Sequence, residues 1–287
     1  MPSTPFAKRP KTLPPEGLLA RTAPGLSLLA RALKNTVFPS TCLGCQEMLH
    51  ETTFFCPQCA AEIQTLADRG CRICGRPFKD PIPDGVCPDC LSKPPDFDQA
   101  WALAVYNGPL GDAVRRFKYH RHWATGAALA AYLAERASGE LPERFDILAP
   151  VPLHPRRLLT RGFNQAAVLG RDLARNSSLA LVPGLLKRLR HTRPQVGLDP
   201  SARRQNVAGA FAVDQKKRSL PAGAGVLVLD DVFTTGATVN ECARVLKQAG
   251  AVRVGVLTLV RAASGDLLAD RPPVGYDRTQ ERGPVDA

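Results

Sequence analysis

The stretch Val226-Leu-Val-Leu-Asp-Asp-Val-Phe-Thr-Thr-Gly-Ala-Thr238 dictates how the rest of the chain must be arranged. Its first four residues are apolar without alternation, the pattern of a strand buried on both faces. Asp230 and Asp231 stand at the carboxyl end of that strand. A small-residue turn rich in hydroxyls follows. Val239, Cys242, Val245, Leu246 and Ala249 then recur at helical spacing. Strand, turn and helix N-terminus make an anion cradle. The first N–H groups of a helix lack partners within it, and the positive end of its dipole points the same way. Thr234, Thr235 and Thr238 add hydroxyl donors, and Gly236 lets the backbone come close. The bland alternative is an ordinary strand–helix turn with a capping threonine. A lone Thr-Gly turn would fit it, but thirteen residues in this order do not.

The pattern resembles the PRPP-binding motif of type I phosphoribosyltransferases: apolar strand, Asp-Asp, two variable residues, then Thr-Thr-Gly-x-Thr. The resemblance implies that Asp230 and Asp231 hold the ribose hydroxyls. It implies that Thr234, Thr235, Gly236, Ala237 and Thr238 hold the 5′-phosphate, with Mg²⁺ accompanying PRPP. It also implies an α/β fold, a parallel sheet with helices on both faces.

The chain has 287 residues and a formal net charge of +12, unevenly placed. Residues 154–218 carry fourteen basic and three acidic side chains, a local excess of +11. Such a block points to polyanions, whether pyrophosphate or nucleic acid, with a solvated basic face as the bland alternative. No apolar run approaches the roughly 18 residues that span a bilayer, so no membrane insertion is expected. The proline-rich, basic N-terminus lacks the apolar stretch of a signal peptide, and a cytoplasmic protein is expected.

Eight of the nine cysteines form four CxxC knuckles: Cys42/Cys45, Cys56/Cys59, Cys71/Cys74 and Cys87/Cys90. Two knuckles aim four thiolates at one ion and complete a closed tetrahedral Zn²⁺ site, so two structural zincs are expected. A disulfide framework would need an oxidising compartment, and an iron–sulfur cluster suits four evenly paired knuckles less well. Sequential pairing is expected, with Ala60–Gly70 as a short helical spacer. Residues 40–95 hold no apolar segment able to form a core. The metals must supply folding energy there, on the order of 10–16 kcal/mol per site in peptide models. Cys242 stands apart at a helical apolar position and reads as core.

The remaining pattern predicts this order. Residues 1–36 form an extension with a short helix within 16–35, and residues 37–95 form the zinc-binding module. A domain spans 96–263, and 264–287 is a disordered tail. Within the domain, strands are expected at Trp101–Tyr106, Phe145–Pro150 and Val252–Val260, and helices at Leu110–Tyr119, 124–137 and up to Arg175. An antiparallel pair is expected at Leu181–Arg190 and Gly209–Val213. His120 and His122 flank Arg121 in an expected loop and are candidate phosphate contacts. Arg156, Arg157 and Arg161 lie in an expected loop after the first core strand. In the phosphoribosyltransferase fold that stretch receives the pyrophosphate, and guanidinium forks suit the task. Residues 192–206 read as a long basic loop that closes over a ligand, with Gln195, Arg203, Arg204 and Asn206 as candidates. An exposed basic hairpin is the alternative.

Four CxxC knuckles, Pro150-Val-Pro-Leu-His-Pro-Arg-Arg157, Arg161-Gly-Phe-Asn-Gln165, then Arg203, Asn206 and Gly209-Ala-Phe211, then the PRPP motif: in this order the chain resembles the ComF/GntX family over residues 37 to 261. The resemblance implies a double zinc ribbon before a phosphoribosyltransferase-like domain. It implies a part in natural competence, the handling of incoming single-stranded DNA in the cytoplasm, alongside competence-machinery proteins. An active transferase moving phosphoribosyl from PRPP to an amine or base is the alternative. No segment matches the hood with which type I enzymes read an acceptor base, and the catalytic residues stay unassigned.

Overall fold

A computed structural model describes residues 40–262 apart from 50, 52, 67–69, 79–81, 120–122, 138–144, 194–198 and 215–219. The expected N-terminal helix, the tail, His120, His122 and Gln195 lie outside the described residues. The strands are β1 (Gln99–Val105), β2 (Ile147–Pro150), β3 (Ala180–Leu181), β4 (Leu186–Arg188), β5 (Phe211–Val213), β6 (Gly225–Phe233) and β7 (Arg253–Arg261). The helices are α1 (Pro57–Glu62), α2 (Pro88–Ser92), α3 (Gly108–Tyr119), α4 (Trp123–Ala137), α5 (Pro155–Arg161), α6 (Gln165–Arg175), α7 (Pro200–Val207) and α8 (Ala237–Gln248).

Five strands form one parallel sheet in the order β1-β7-β6-β2-β3, with β6 at its centre. The apolar run of β6 divides by alternation. Val226 and Val228 face a layer built by α8, and Leu227 and Leu229 face the layer of α3, α4 and α6. Both faces are covered, as the unbroken apolar sequence required. The expected antiparallel pair forms only in part. Leu186–Arg188 pairs with Phe211–Val213, whereas Leu181 joins the main sheet beside Leu148.

The cysteine module lies on the domain rather than apart from it. Cys42 and Cys59 belong to the apolar cluster of α3 and α4, and Cys71, Cys74, Cys87 and Cys90 belong to the cluster on the opposite face. Among the described residues the expected helical spacer is helical only to Glu62. Thr65 then bridges Ala104 of β1 in antiparallel fashion, and the Leu66 N–H donates to the Leu103 carbonyl at 3.0 Å. The module thereby covers the edge strand, whose unpaired backbone groups would otherwise invite association.

Two stretches expected as loops are helical. Residues 155–161 form α5 and residues 200–207 form α7. Each has a capping side chain followed by proline at the first helical position, His154 with Pro155 and Asp199 with Pro200. The polar, proline-bearing composition reads as loop until those caps are weighed.

Candidate phosphoribosyl site

Strand β6 runs through both aspartates and ends at Phe233. Asp231 is buried and Asp230 half-buried. The Asp231 N–H donates to Asp230 Oδ1 at 2.9 Å. Lys118, near the end of α3, places its Nζ 3.1 Å from Asp231 Oδ1, in a pair largely shielded from water. Burial, and next the charge of Asp231, push the Asp230 carboxyl up to about 7 against the pull of Lys118. Burial pushes Lys118 down, but Asp231, Tyr106 and Asp230 together outweigh it and the ammonium is held above its usual range.

Thr234, Thr235 and Gly236 make the turn, and α8 starts at Ala237. Gly236 has φ 76°, and a Cβ there would lie 2.6 Å from Cζ of Phe233. Conformation and space both demand glycine. Thr235 Oγ1 accepts the Ala237 N–H at 3.4 Å, while Gly236 caps the helix without a side chain. The five residues 234–238 thus wrap the positive end of a twelve-residue helix directly after the acidic pair.

A cationic wall stands on the neighbouring strand's end. Val151 follows β2, and its carbonyl accepts a bond from Asn164 Nδ2 at 2.9 Å, which ties the start of α6 back to the sheet. Between them α5 carries Arg156, Arg157 and Arg161. Arg156 is exposed, Arg157 donates to the Thr192 carbonyl at 3.1 Å, and Arg161 donates to Gln165 Oε1 at 3.3 Å. Arg188 on β4 completes the wall, with its guanidinium 5.2 Å from the centre of the Phe211 ring. Burial lowers the pKa of Arg188, with Arg157 and Arg161 adding to the effect, while Asp230 opposes it. Arg157, Arg161 and Asp230 are therefore each within electrostatic reach of Arg188.

The closing-loop candidates occupy different places. Arg203, Arg204 and Asn206 stand on α7, not in a loop. Asn206 accepts from the Arg193 N–H at 3.2 Å and donates to the Arg193 carbonyl at 3.0 Å, so it clamps the basic stretch. Glu241 of α8 accepts the Gly209 N–H at 2.8 Å, which fixes the Gly209-Ala-Phe211 turn to the cradle helix.

Lys118 and Arg188 escaped the sequence reading. Nothing local in the sequence marks the reach of Lys118 to Asp231. Arg188 shares a strand face with buried Leu186, and an arginine on an apolar face was the available signal.

The thiolates pair sequentially. In each of the sets Cys42/Cys45/Cys56/Cys59 and Cys71/Cys74/Cys87/Cys90 the sulfur atoms lie within 4.8 Å of one another. Cys42 Sγ accepts N–H bonds from Gly44 and Cys56 at 3.4 and 3.3 Å, and Cys71 Sγ accepts from Cys74 and Cys87 at 3.5 and 3.3 Å. Burial pushes the Cys42 thiol up, but backbone N–H donors outweigh it and hold it at about 6. Four convergent sulfurs with N–H donors behind them fit tetrahedral Zn²⁺. Cys242 is fully buried on α8 and belongs to neither set.

Residues 33–91 match the double zinc ribbon domain model, and residues 166–286 match the phosphoribosyl transferase domain model. Competence protein F of Haemophilus influenzae is 32% identical over 228 residues, covering 77% of this chain and 90% of that protein. The DNA utilization protein YhgH of Salmonella typhimurium is 33% identical, covering 84% of this chain and 98% of that protein. Competence protein ComFC of Bacillus subtilis is 27% identical, covering 72% and 84%.

Proposed function

We propose that this chain, which belongs to the family of Competence protein F and the DNA utilization protein YhgH, binds PRPP and handles single-stranded DNA in the cytoplasm during its uptake. The family assignment makes it a competence-related protein with a phosphoribosyltransferase-like domain. The observation that carries the finer reading is an acidic pair placed directly before a glycine-floored helix N-terminus. Carboxylates repel phosphate, so next to an anion cradle they need another partner. Ribose hydroxyls supply one: Asp230 and Asp231 accept their O–H bonds while residues 234–238 take the 5′-phosphate. Arg156, Arg157, Arg161 and Arg188 form the cationic side that suits a pyrophosphate. Mg²⁺ bound with PRPP would add charge to that side, with the two carboxylates as nearby oxygen donors. The local excess of +11 in residues 154–218 supports contact with DNA phosphates.

The test is a calorimetric titration of the zinc-loaded protein with PRPP and Mg²⁺, repeated for Asp230→Asn/Asp231→Asn. The substitution keeps volume and hydrogen-bonding capacity but removes two charges. Affinity falls by roughly 1.5–3 kcal/mol per charged hydrogen bond lost. Undiminished affinity at unchanged zinc content would remove the assignment, because relief of repulsion would then be the only effect of the change.

A second reading, an active transferase, is favoured by Arg188, whose charge acts on Asp230 and would help hold a departing pyrophosphate. The C1–O bond of PRPP would break with its electron pair leaving on pyrophosphate, and an amine or base nitrogen would bond C1 and lose a proton. Pyrophosphate release with ammonia, amines and free bases decides between binding alone and turnover.

A further inference from the structure

Phe117, Phe163 and Trp123 form a ladder of rings that climbs from the core to the surface. Phe117 on α3 is 0% exposed, Phe163 between α5 and α6 is 6% exposed, and Trp123 at the start of α4 is 55% exposed. The Phe117 and Phe163 centroids are 5.4 Å apart with planes 28° from parallel, and Phe163 and Trp123 are 4.6 Å apart with planes at 40°. The ladder is held tightly. A Cβ at Gly126 would lie 2.5 Å from Phe117 Cε2, so this glycine brings the first turn of α4 against the ring below. Its position is defined by its neighbours in sequence. Phe117 precedes Lys118, the partner of Asp231, and Phe163 follows Arg161 by one glycine. The indole therefore lies against Phe163, two residues past Arg161 at the end of the arginine helix.

A single exposed apolar side chain is ordinary by itself. What sets this indole apart is the stack of rings behind it and the arginines on the helix that ends two residues before Phe163. A second aromatic rung adds rigidity, because the indole is backed by a ring that is itself buried. We infer that Trp123, supported by Phe163 and Phe117, is a stacking platform for an unpaired base of single-stranded nucleic acid, with phosphates of the same strand lying on the arginines of α5. This rests on the nucleic-acid part of the proposed function and names its contact surface. A strand fits better than a duplex, whose bases hide their faces in the helix. Flat aromatic surface beside a cationic track is the general means of holding single strands, since every base has a π-face. Arg156 is exposed on α5, and residues 154–218 hold fourteen of the chain's 38 basic side chains, which supplies the charge complementarity.

Full-length, zinc-loaded protein is titrated with a fluorescent oligothymidylate and with an abasic oligomer of equal length, at several salt concentrations. Trp123→Leu weakens oligothymidylate binding about 5- to 150-fold, the value of one stacked base. The slope of log K against log salt stays the same, because no phosphate contact is lost. Trp123→Phe recovers most of the affinity, and the abasic oligomer binds wild type and variants alike. Arg156→Gln, by contrast, flattens the salt slope. Zinc content and unfolding temperature confirm that each variant is folded. Equal oligothymidylate affinity in the leucine variant, or an equal loss on the abasic oligomer, overturns the platform alone. Wild-type protein that binds neither oligomer overturns both the platform and the nucleic-acid reading on which it rests.

Discussion

Replacing Lys118 with Met tests whether the acidic pair is held ionised by a buried counter-charge. The side chains are similar in length, so the change removes charge with little change in volume. At an N–O distance of 3.1 Å and an effective dielectric near 20, the attraction to Asp231 is about 5 kcal/mol. Desolvation of both groups opposes it, and removing one partner of such a pair typically costs about 3–5 kcal/mol. The carboxylates can escape that cost by taking up a proton. Asp230 already lies raised to about 7, and Lys118 is a charge that pulls it down, so its loss raises the group further. A carboxyl raised in the folded state contributes stability at pH below its unfolded value and loses it as pH rises toward the folded value. The gap in stability between wild type and Lys118→Met therefore widens from pH 6 to pH 8, by up to about 1.4 kcal/mol per pH unit for each proton held. PRPP affinity follows, because a protonated carboxyl no longer accepts charged bonds from ribose hydroxyls. Urea unfolding and PRPP titration at pH 6, 7 and 8 measure both effects. A stability gap that stays constant with pH, together with wild-type PRPP affinity at pH 7, would refute the reasoning.

Two further outcomes are expected. Gly236→Ala places a side chain at φ 76° and 2.6 Å from the Phe233 ring. It should cost about 1–2 kcal/mol for conformation and about 1–3 kcal/mol for crowding, read by urea unfolding, with weaker PRPP binding. Elemental analysis should find two zinc ions per chain, unchanged in Cys242→Ala; one ion, or iron, would sink the two-site assignment.

What the sequence revealed depended on the range of the interaction. The central strand was legible because burial on both faces leaves an unbroken apolar run in Val226–Leu229. The four knuckles were legible because two ligands of each lie three residues apart. The turn at Gly236 was legible because its conformation is a property of one residue. What failed depended on distant partners. Gln64–Leu66 carries no strong strand pattern, and it is extended because the edge of β1 offers it hydrogen bonds. Arg203 and Arg204 looked like loop residues, since α7 has little apolar surface and is set by the Asp199 cap and by contact with α8. Lys118 lies 113 positions from Asp231, and only the tertiary fold joins them.

Arg261 joins the two sides of the boundary expected at residues 95/96. This residue ends β7 and is buried. Its guanidinium donates to the Cys74 carbonyl at 2.6 Å and to Cys74 Sγ at 3.7 Å, and it lies 4.2 Å from the centre of the Phe233 ring. Burial pushes its pKa down, and the charge of Cys74 pulls it back. Four thiolates around a divalent ion carry net negative charge, so the second cysteine set is a suitable counter-ion for a cation that could not otherwise be buried. Phe233, on the other side of that cation, is the ring that a side chain at Gly236 would strike. One unbroken series of contacts thus runs from the second cysteine set through Arg261 and Phe233 to the floor of the phosphate cradle. A chain cut before Asp96 would leave Arg261 without its acceptors and β1 without its cover. The zinc module therefore supports the site by completing the layers beneath it.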